Sequence, residues 1–285
     1  MTDLGNPNSR YLAENSSYGK PFRYELTSRG FLSEVNNLLN ASLYGIVKRR
    51  RLIVDQSKFG GLNWQALFGR DLPLAEGGSD LEIHAKFLSI RRWTALRDFA
   101  RLPIRCKPLG MDGSLFDAKR AMAVALTLDI PSAPPISPYA AIHVRRGDKV
   151  EGYMVGKELR REGEATGLET YLSLIRAKMP EIRSIFVMTD DYRMVDALRQ
   201  IAPELAIETL CPPDFVGYRQ PDFSSLPVEV RTNYVRGLLA EIAVAARSTI
   251  FVGGYLSNVA RYVALVHRDP AMCFSIDRQK KWLAS

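Results

Sequence analysis

The sequence predicts an α/β protein built on a parallel sheet, and three observations carry that reading. From residue 139 onward short apolar runs alternate with segments of helical spacing, the pattern of strands joined by helical crossovers that cover both sheet faces. Nearer the N-terminus, Leu32, Val35, Leu39, Leu43 and Ile46 recur at helical spacing and lead into the apolar run Leu52-Ile53-Val54. Between the two regions, Pro131-Ser-Ala-Pro-Pro-Ile-Ser-Pro138 places four prolines where neither helix nor ladder can continue.

Taken in order, residues 1–22 are rich in Asn, Ser and Gly without periodicity and predict an irregular arm, the fold starting near Tyr24. Residues 23–130 form an N-terminal α/β domain: a Gly-containing turn at Thr27-Ser28-Arg29-Gly30, the helix from Leu32, a strand ending at Asp55, and helices over 81–101 and 114–128. The turn puts the helix N-terminus, with its free N–H groups, towards whatever the loop faces. Residues 131–138 are the linker. Residues 139–285 then give strands at Tyr139–Val144, Ser184–Met188, Ala206–Leu210, Thr249–Val252 and Met272–Ile276. The helices between and around them are Glu169–Lys178, Tyr192–Ile201, Val230–Ala246 and Leu256–His267.

The chain has 285 residues, 46% hydrophobic and 25% charged, a globular composition that excludes disordered, collagenous and disulfide-scaffold classes. Its net charge is +8, of which +6 lies before residue 137, so a polyanionic partner is the first to consider. The run Lys48-Arg49-Arg50-Arg51 needs no ligand, because cations are favoured at a helix C-terminus. Cys106, Cys211 and Cys273 are far apart and form no metal-binding spacing, which suits a reducing compartment. The polar N-terminus lacks the apolar core of a signal peptide and no stretch is long enough to span a bilayer, so a soluble, cytoplasmic protein is expected.

Ligands of parallel sheets bind beyond the carboxyl ends of the strands. The strand beginning at Tyr139 ends in His143-Val144-Arg145-Arg146-Gly147-Asp148-Lys149, a cation cluster that calls for an anion or a nearby carboxylate, with Arg forks suited to phosphate oxygens. The next strand ends in Thr189-Asp190-Asp191; one of the two carboxylates is expected to cap the following helix and the other to contact a ligand hydroxyl. With no His or third carboxylate nearby, no metal site is expected. The fourth runs into Gly253-Gly254-Tyr255-Leu256-Ser257-Asn258, where glycines admit a ligand close to the backbone and the helix start can hold an anion. Together these segments point to a nucleotide diphosphate.

The same segments, in this order, resemble the α-1,6-fucosyltransferase family, including its bacterial chitooligosaccharide fucosyltransferases, and more distantly the protein O-fucosyltransferases. His143 to Lys149 is similar to the family's His-x-Arg-Arg-x-Asp-Lys, Thr189-Asp190-Asp191 follows, and Tyr255-Leu-Ser-Asn-Val-Ala-Arg261 resembles Phe-Ser-Ser-Gln-Val-Cys-Arg. Weaker similarity reaches back to Gly30 and Trp64. The resemblance implies a GT-B-like fold, two Rossmann-like domains facing each other across a cleft, and an inverting, metal-independent transfer of fucose from GDP-fucose to a glycan or other acceptor. Arg145 would hold the β-phosphate, His143 the guanine, Ser257 and Asn258 the diphosphate, and Gly30 would offer backbone. Lys149 would sit beside the reacting centre. Arg146 and Asp148 would support the constellation, and Arg146, Asp190 and Asp191 are counted with the donor-binding set. Glu241 stands where the family has the Asp that reads guanine, and Asn258 replaces a longer Gln. Of Glu158, Glu162 and Glu164, Glu162 aligns with the family's catalytic glutamate, with Glu164 close behind.

No cofactor is implied beyond GDP-fucose as donor substrate, and neither acceptor nor oligomeric state is specified. Transfer from a different nucleotide sugar and a non-catalytic nucleotide-sugar or glycan-binding protein are the alternatives. A nucleic-acid binder rests on net charge alone, since Trp64, Trp93 and Trp282 are scattered rather than gathered in a stacking platform.

Overall fold

The structure, a computed structural model, describes residues 6–28, 30–74, 104–129, 131, 135–147, 153–155, 158–160 and 166–277. It divides into two compact units with the boundary between Asp129 and Ile130.

The first unit begins with a helix where the sequence predicts an irregular arm. α1 (Pro7–Ser16) starts at Asn6, whose side chain accepts the Asn8 N–H at 2.9 Å, with Pro7 in the first turn. Its low apolar content hides it from periodicity, yet Tyr11 is buried. Asn15 docks the helix by mimicking a strand: its side-chain amide donates to the Leu52 carbonyl at 3.0 Å and its carbonyl accepts the Leu52 N–H at 2.8 Å.

β1 (Pro21–Glu25) and β2 (Arg51–Asp55) pair in parallel, Pro21 opposite Arg51 and Glu25 opposite Asp55. The crossover between them is α2 (Phe31–Lys48), which buries the predicted stripe Leu32, Val35, Leu39, Leu43 and Ile46. Arg50 packs over Phe22 and donates to the Pro21 carbonyl, so one cation of the basic run serves the fold. α3 (Trp64–Phe68) places Trp64 among Phe59 and Phe68, with its indole N–H on the Leu126 carbonyl at 2.8 Å. A hairpin of β3 (Ile104–Cys106) and β4 (Met111–Gly113) leads to α4 (Leu115–Leu126), started by a capping box of Ser114 and Asp117. The helix expected over 81–101 lies outside the described residues.

The second unit carries the sheet. β5 (Ala140–Val144) is central. After a small antiparallel hairpin, β6 (Tyr153–Val155) with β7 (Glu158–Arg160), come α5 (Leu168–Lys178), β8 (Ser184–Thr189), α6 (Arg193–Ile201) and β9 (Ala206–Glu208). α7 (Gln220–Ser225), α8 (Val228–Arg247), β10 (Ile250–Gly253), α9 (Asn258–Val266) and β11 (Cys273–Ser275) complete it. The sheet order is β11-β10-β5-β8-β9, every pair parallel, with His143 opposite both Met188 and Gly253. One core packs Ala140, Ile142, Val144, Val187 and Val252 against Leu172, Ile175, Val195 and Leu198. The predicted α/β class with a parallel sheet is thus present. The β6–β7 hairpin was not expected; it makes part of the charged segment around Glu158 a strand.

Candidate functional site

The chain leaves β5 in one direction, through β8 to β9, and returns to the other side of β5 as β10. The carboxyl ends of β5 and β10 therefore flank a topological switch point, where open α/β sheets form a ligand crevice. The end of β5 and the loop after it carry His143 to Gly147, and the loop after β10 with the start of α9 carries Gly254 to Asn258.

On the β5 side, Asp190 at the end of β8 organises the loop. Its Oδ2 lies 2.6 Å from an Arg145 guanidinium nitrogen and accepts the Tyr218 N–H at 3.3 Å, while Oδ1 accepts the Arg146 N–H at 2.6 Å. Burial pushes the Asp190 carboxyl above the usual carboxylate range, opposed by the Arg145 charge and these N–H donors. The Arg146 guanidinium turns back onto the chain, donating to the carbonyls of Arg145 and Thr166 at 3.1 Å each. Asp191 precedes Tyr192, the N-cap of α6, which has no side-chain cap; it accepts the Arg193 N–H at 3.1 Å and pairs with the Arg193 side chain at 2.6 Å, which holds its carboxyl below the usual range. Both carboxylates are thus engaged with the chain itself.

His143 is buried, with no hydrogen-bond partner at Nδ1 among the described residues. Burial, and then the neighbouring Arg145 charge, hold its pKa at about 3, so the imidazole is neutral at physiological pH. Across the strand from it, Gly253 has no side chain: a Cβ there would lie 2.8 Å from that of Ala260. Glu241, on α8, pairs with no described residue, and burial followed by the Asp190 charge pushes its carboxyl up to about 8. Cys211 shares these acidic neighbours, and its thiol is pushed up to about 12, chiefly by burial.

On the β10 side, Ser257 caps α9 by accepting the Ala260 N–H at 3.4 Å, and Asn258 is exposed in the first turn. The loop before them is held by Asp277, which sequence reasoning missed: its carboxylate accepts the Tyr255 N–H at 2.7 Å and the Leu256 N–H at 3.3 Å. Asp277 follows β11 at the same sheet edge, so its position after a strand was the available signal. Tyr218 was missed as well, in a stretch of the β9–α8 connection with no strand or helix periodicity.

In the first unit, Gly30 sits at the N-cap of α2, its carbonyl accepting the Ser33 N–H at 2.8 Å. Lys149, Asp148, Glu162 and Glu164 lie outside the described residues; Glu158 is placed by its backbone, opposite Val155 in the hairpin. Among the described residues no group of His, Cys, Asp and Glu is arranged to hold a metal ion, and no helix is long and apolar enough to cross a membrane.

Site and sheet define an α/β protein with a candidate anion-binding crevice at a switch point, and comparison with solved structures gives the fold a counterpart. The chain is similar to NodZ α-1,6-fucosyltransferase co-crystallised with GDP, at 14% identity and a TM-score of 0.50 over 88% of this chain and 93% of that one. The selenomethionine fucosyltransferase NodZ from Bradyrhizobium matches with the same identity, score and coverage. POFUT1 in complex with GDP matches at 13% identity and a TM-score of 0.39 over 88% and 97%, too distant to bear on the fold. No family model matches the chain, and no curated protein matches it by sequence. The likeness to NodZ is one of fold: a GT-B-like α/β architecture.

Proposed function

We propose that this chain is a glycosyltransferase that moves fucose from GDP-fucose to an acceptor hydroxyl, with inversion and without a metal. The observation that carries this reading is the placement of Arg145, braced by Asp190, beside the β5/β10 switch point of a sheet whose fold is similar to that of a fucosyltransferase co-crystallised with GDP. The order of motifs along the sequence supports it.

In this reading the acceptor oxygen attacks the anomeric carbon while its bond to the diphosphate breaks, and GDP departs with the electron pair. Negative charge then grows on the β-phosphate, where a preorganised cation contributes most in the transition state. Arg145 supplies that charge, with Lys149 beside the reacting centre. Ser257 and Asn258 contribute hydrogen bonds to the donor, and Arg146, Asp190 and Asp191 hold the loops that present it. Neutral His143 contacts the guanine, and Glu241, as the carboxylate, accepts from its N1 and N2 donors. Glu162 takes the acceptor proton as general base, with Glu164 and Glu158 as its rivals.

The test is an acceptor screen with GDP-fucose over chitooligosaccharides, lipopolysaccharide sugars and peptides, run beside release of free fucose without acceptor. Transfer to any of them, lost in Arg145→Ala, is expected. A chain that binds GDP-fucose yet neither transfers nor hydrolyses it is a binding protein, and one that turns over another nucleotide sugar in preference has a different donor.

A further inference from the structure

The connection between β9 and α8 is stitched onto the segment after β8 and crosses close to the β5 loop. The Tyr192 N–H donates to the Phe215 carbonyl at 2.8 Å, Val216 bridges to Asp191, and Tyr218 brings its N–H to Asp190. Gly217 and Gly147 make the approach possible. Both have left-handed backbone, at φ +105° and +60°, and a Cβ on Gly147 would meet the Tyr218 carbonyl oxygen at 2.4 Å. The consequence is that the Tyr218 ring lies against the Arg145 guanidinium, 5.2 Å from its centroid to Cζ, while Asp190 takes one edge of that same guanidinium at 2.6 Å. The ring is itself fixed: its hydroxyl donates to Gln220 Oε1 at 2.7 Å, and Phe223 packs on it at 5.5 Å, backed by Tyr234 and Phe215.

We propose that Tyr218 is a positioning residue that sets the plane of the Arg145 guanidinium, so that its donors meet the terminal phosphate of a nucleoside diphosphate. A carboxylate at one edge fixes one direction in the guanidinium plane, and a ring against its face fixes the tilt of that plane. Arg stacks on aromatic faces through its planar, weakly hydrated charge, which a Lys ammonium does not reproduce. The proposal rests on the reading of this crevice as a nucleotide-sugar site.

Calorimetric titration with GDP and GMP, on the wild-type chain and on Tyr218→Leu, Tyr218→Phe, Arg145→Lys and the Arg145→Lys/Tyr218→Leu double variant, tests it. Tyr218→Leu is expected to weaken GDP by about tenfold, within the range of a partly desolvated cation–π contact, and to leave GMP unchanged. Tyr218→Phe retains the ring and should stay within about twofold of wild type. In the Arg145→Lys background the Leu substitution should add almost nothing, because the partner it positions is gone. Tyr218→Met carries the same expectation and replaces the Leu variant if that one loses its cooperative melting transition. An unchanged GDP-to-GMP ratio in both would overturn the proposal, as would equal damage from Phe and Leu or additive effects in the double variant. A wild-type chain with no preference for GDP over GMP would sink the reading of the site and the proposal with it, whereas a wild-type preference that survives Tyr218→Leu overturns the proposal alone.

Discussion

The Arg145 guanidinium and the Asp190 carboxylate meet at 2.6 Å, one from the loop after β5 and the other from the end of the adjacent β8. Asp190 also accepts backbone N–H groups from Arg146 and Tyr218, so one carboxylate sets both the arginine and the two loops around it. Asp190→Asn keeps the shape and removes the charge. It is expected to lower GDP affinity at least tenfold and to cost about 1.5–3 kcal/mol of stability, the usual worth of hydrogen bonds to a charged group. Calorimetry and thermal melting of the variant measure both.

Glu241 gives the site a pH signature. Its carboxyl is raised from 4.5 to about 8, so the free protein holds at neutral pH a proton that the unfolded chain has released. Folding stability attributable to this group therefore falls as pH rises through that window. A guanine edge that offers two N–H donors requires the carboxylate, so GDP should bind more tightly as pH climbs towards about 8, with proton release, and then level off. Glu241→Gln should flatten both profiles: it melts higher than wild type at pH 8, equals it near pH 4.5, and binds GDP weakly at every pH. Titrations in buffers of different ionisation enthalpy count the proton.

Gly147→Ala asks whether the crossing of the two loops is required. The new methyl would meet the Tyr218 carbonyl oxygen at 2.4 Å and Asp190 Oδ2 at 2.9 Å, in a backbone conformation that itself costs a non-glycine residue about 1 kcal/mol or more. The loop must open, and the free energy of GDP binding lost should exceed the folding free energy lost, as calorimetry and denaturant unfolding measure them.

Trp64 tests the first unit separately from the crevice residues. The indole is buried among aromatic rings, with its N–H satisfied by Leu126. Trp64→Ala should cost about 3–5 kcal/mol, and denaturant unfolding followed by circular dichroism would show it.

Much of this was legible in the sequence because the second unit obeys simple rules. Apolar runs such as Ala140–Val144 and Ile250–Gly253 are strands buried on both faces, and the site residues follow them directly. What stayed hidden had no periodic signal. α1 is held by two Asn side chains, Asn15 pairing with the Leu52 backbone and Asn8 with that of Asp71, long-range contacts that no local pattern announces. Tyr218 reaches Arg145 from 73 positions away through two left-handed glycines, and Asp277 reaches its loop from the far side of α9. A carboxylate partner of Arg145 comes from Asp190, which the sequence offers as a cap or a hydroxyl ligand, at the end of the neighbouring strand; Asp148 lies outside the described residues.

The central claim is that the β5/β10 edge binds the guanosine diphosphate part of a sugar donor, and calorimetric titration of the wild-type chain and Arg145→Ala with GDP, UDP and ADP tests it most directly. The account predicts that GDP binds at least about tenfold more tightly than UDP or ADP, a difference of 1.4 kcal/mol or more, and that Arg145→Ala removes this binding. Equal affinity for the three nucleotides, a preference for UDP, or undiminished GDP binding by Arg145→Ala would contradict it.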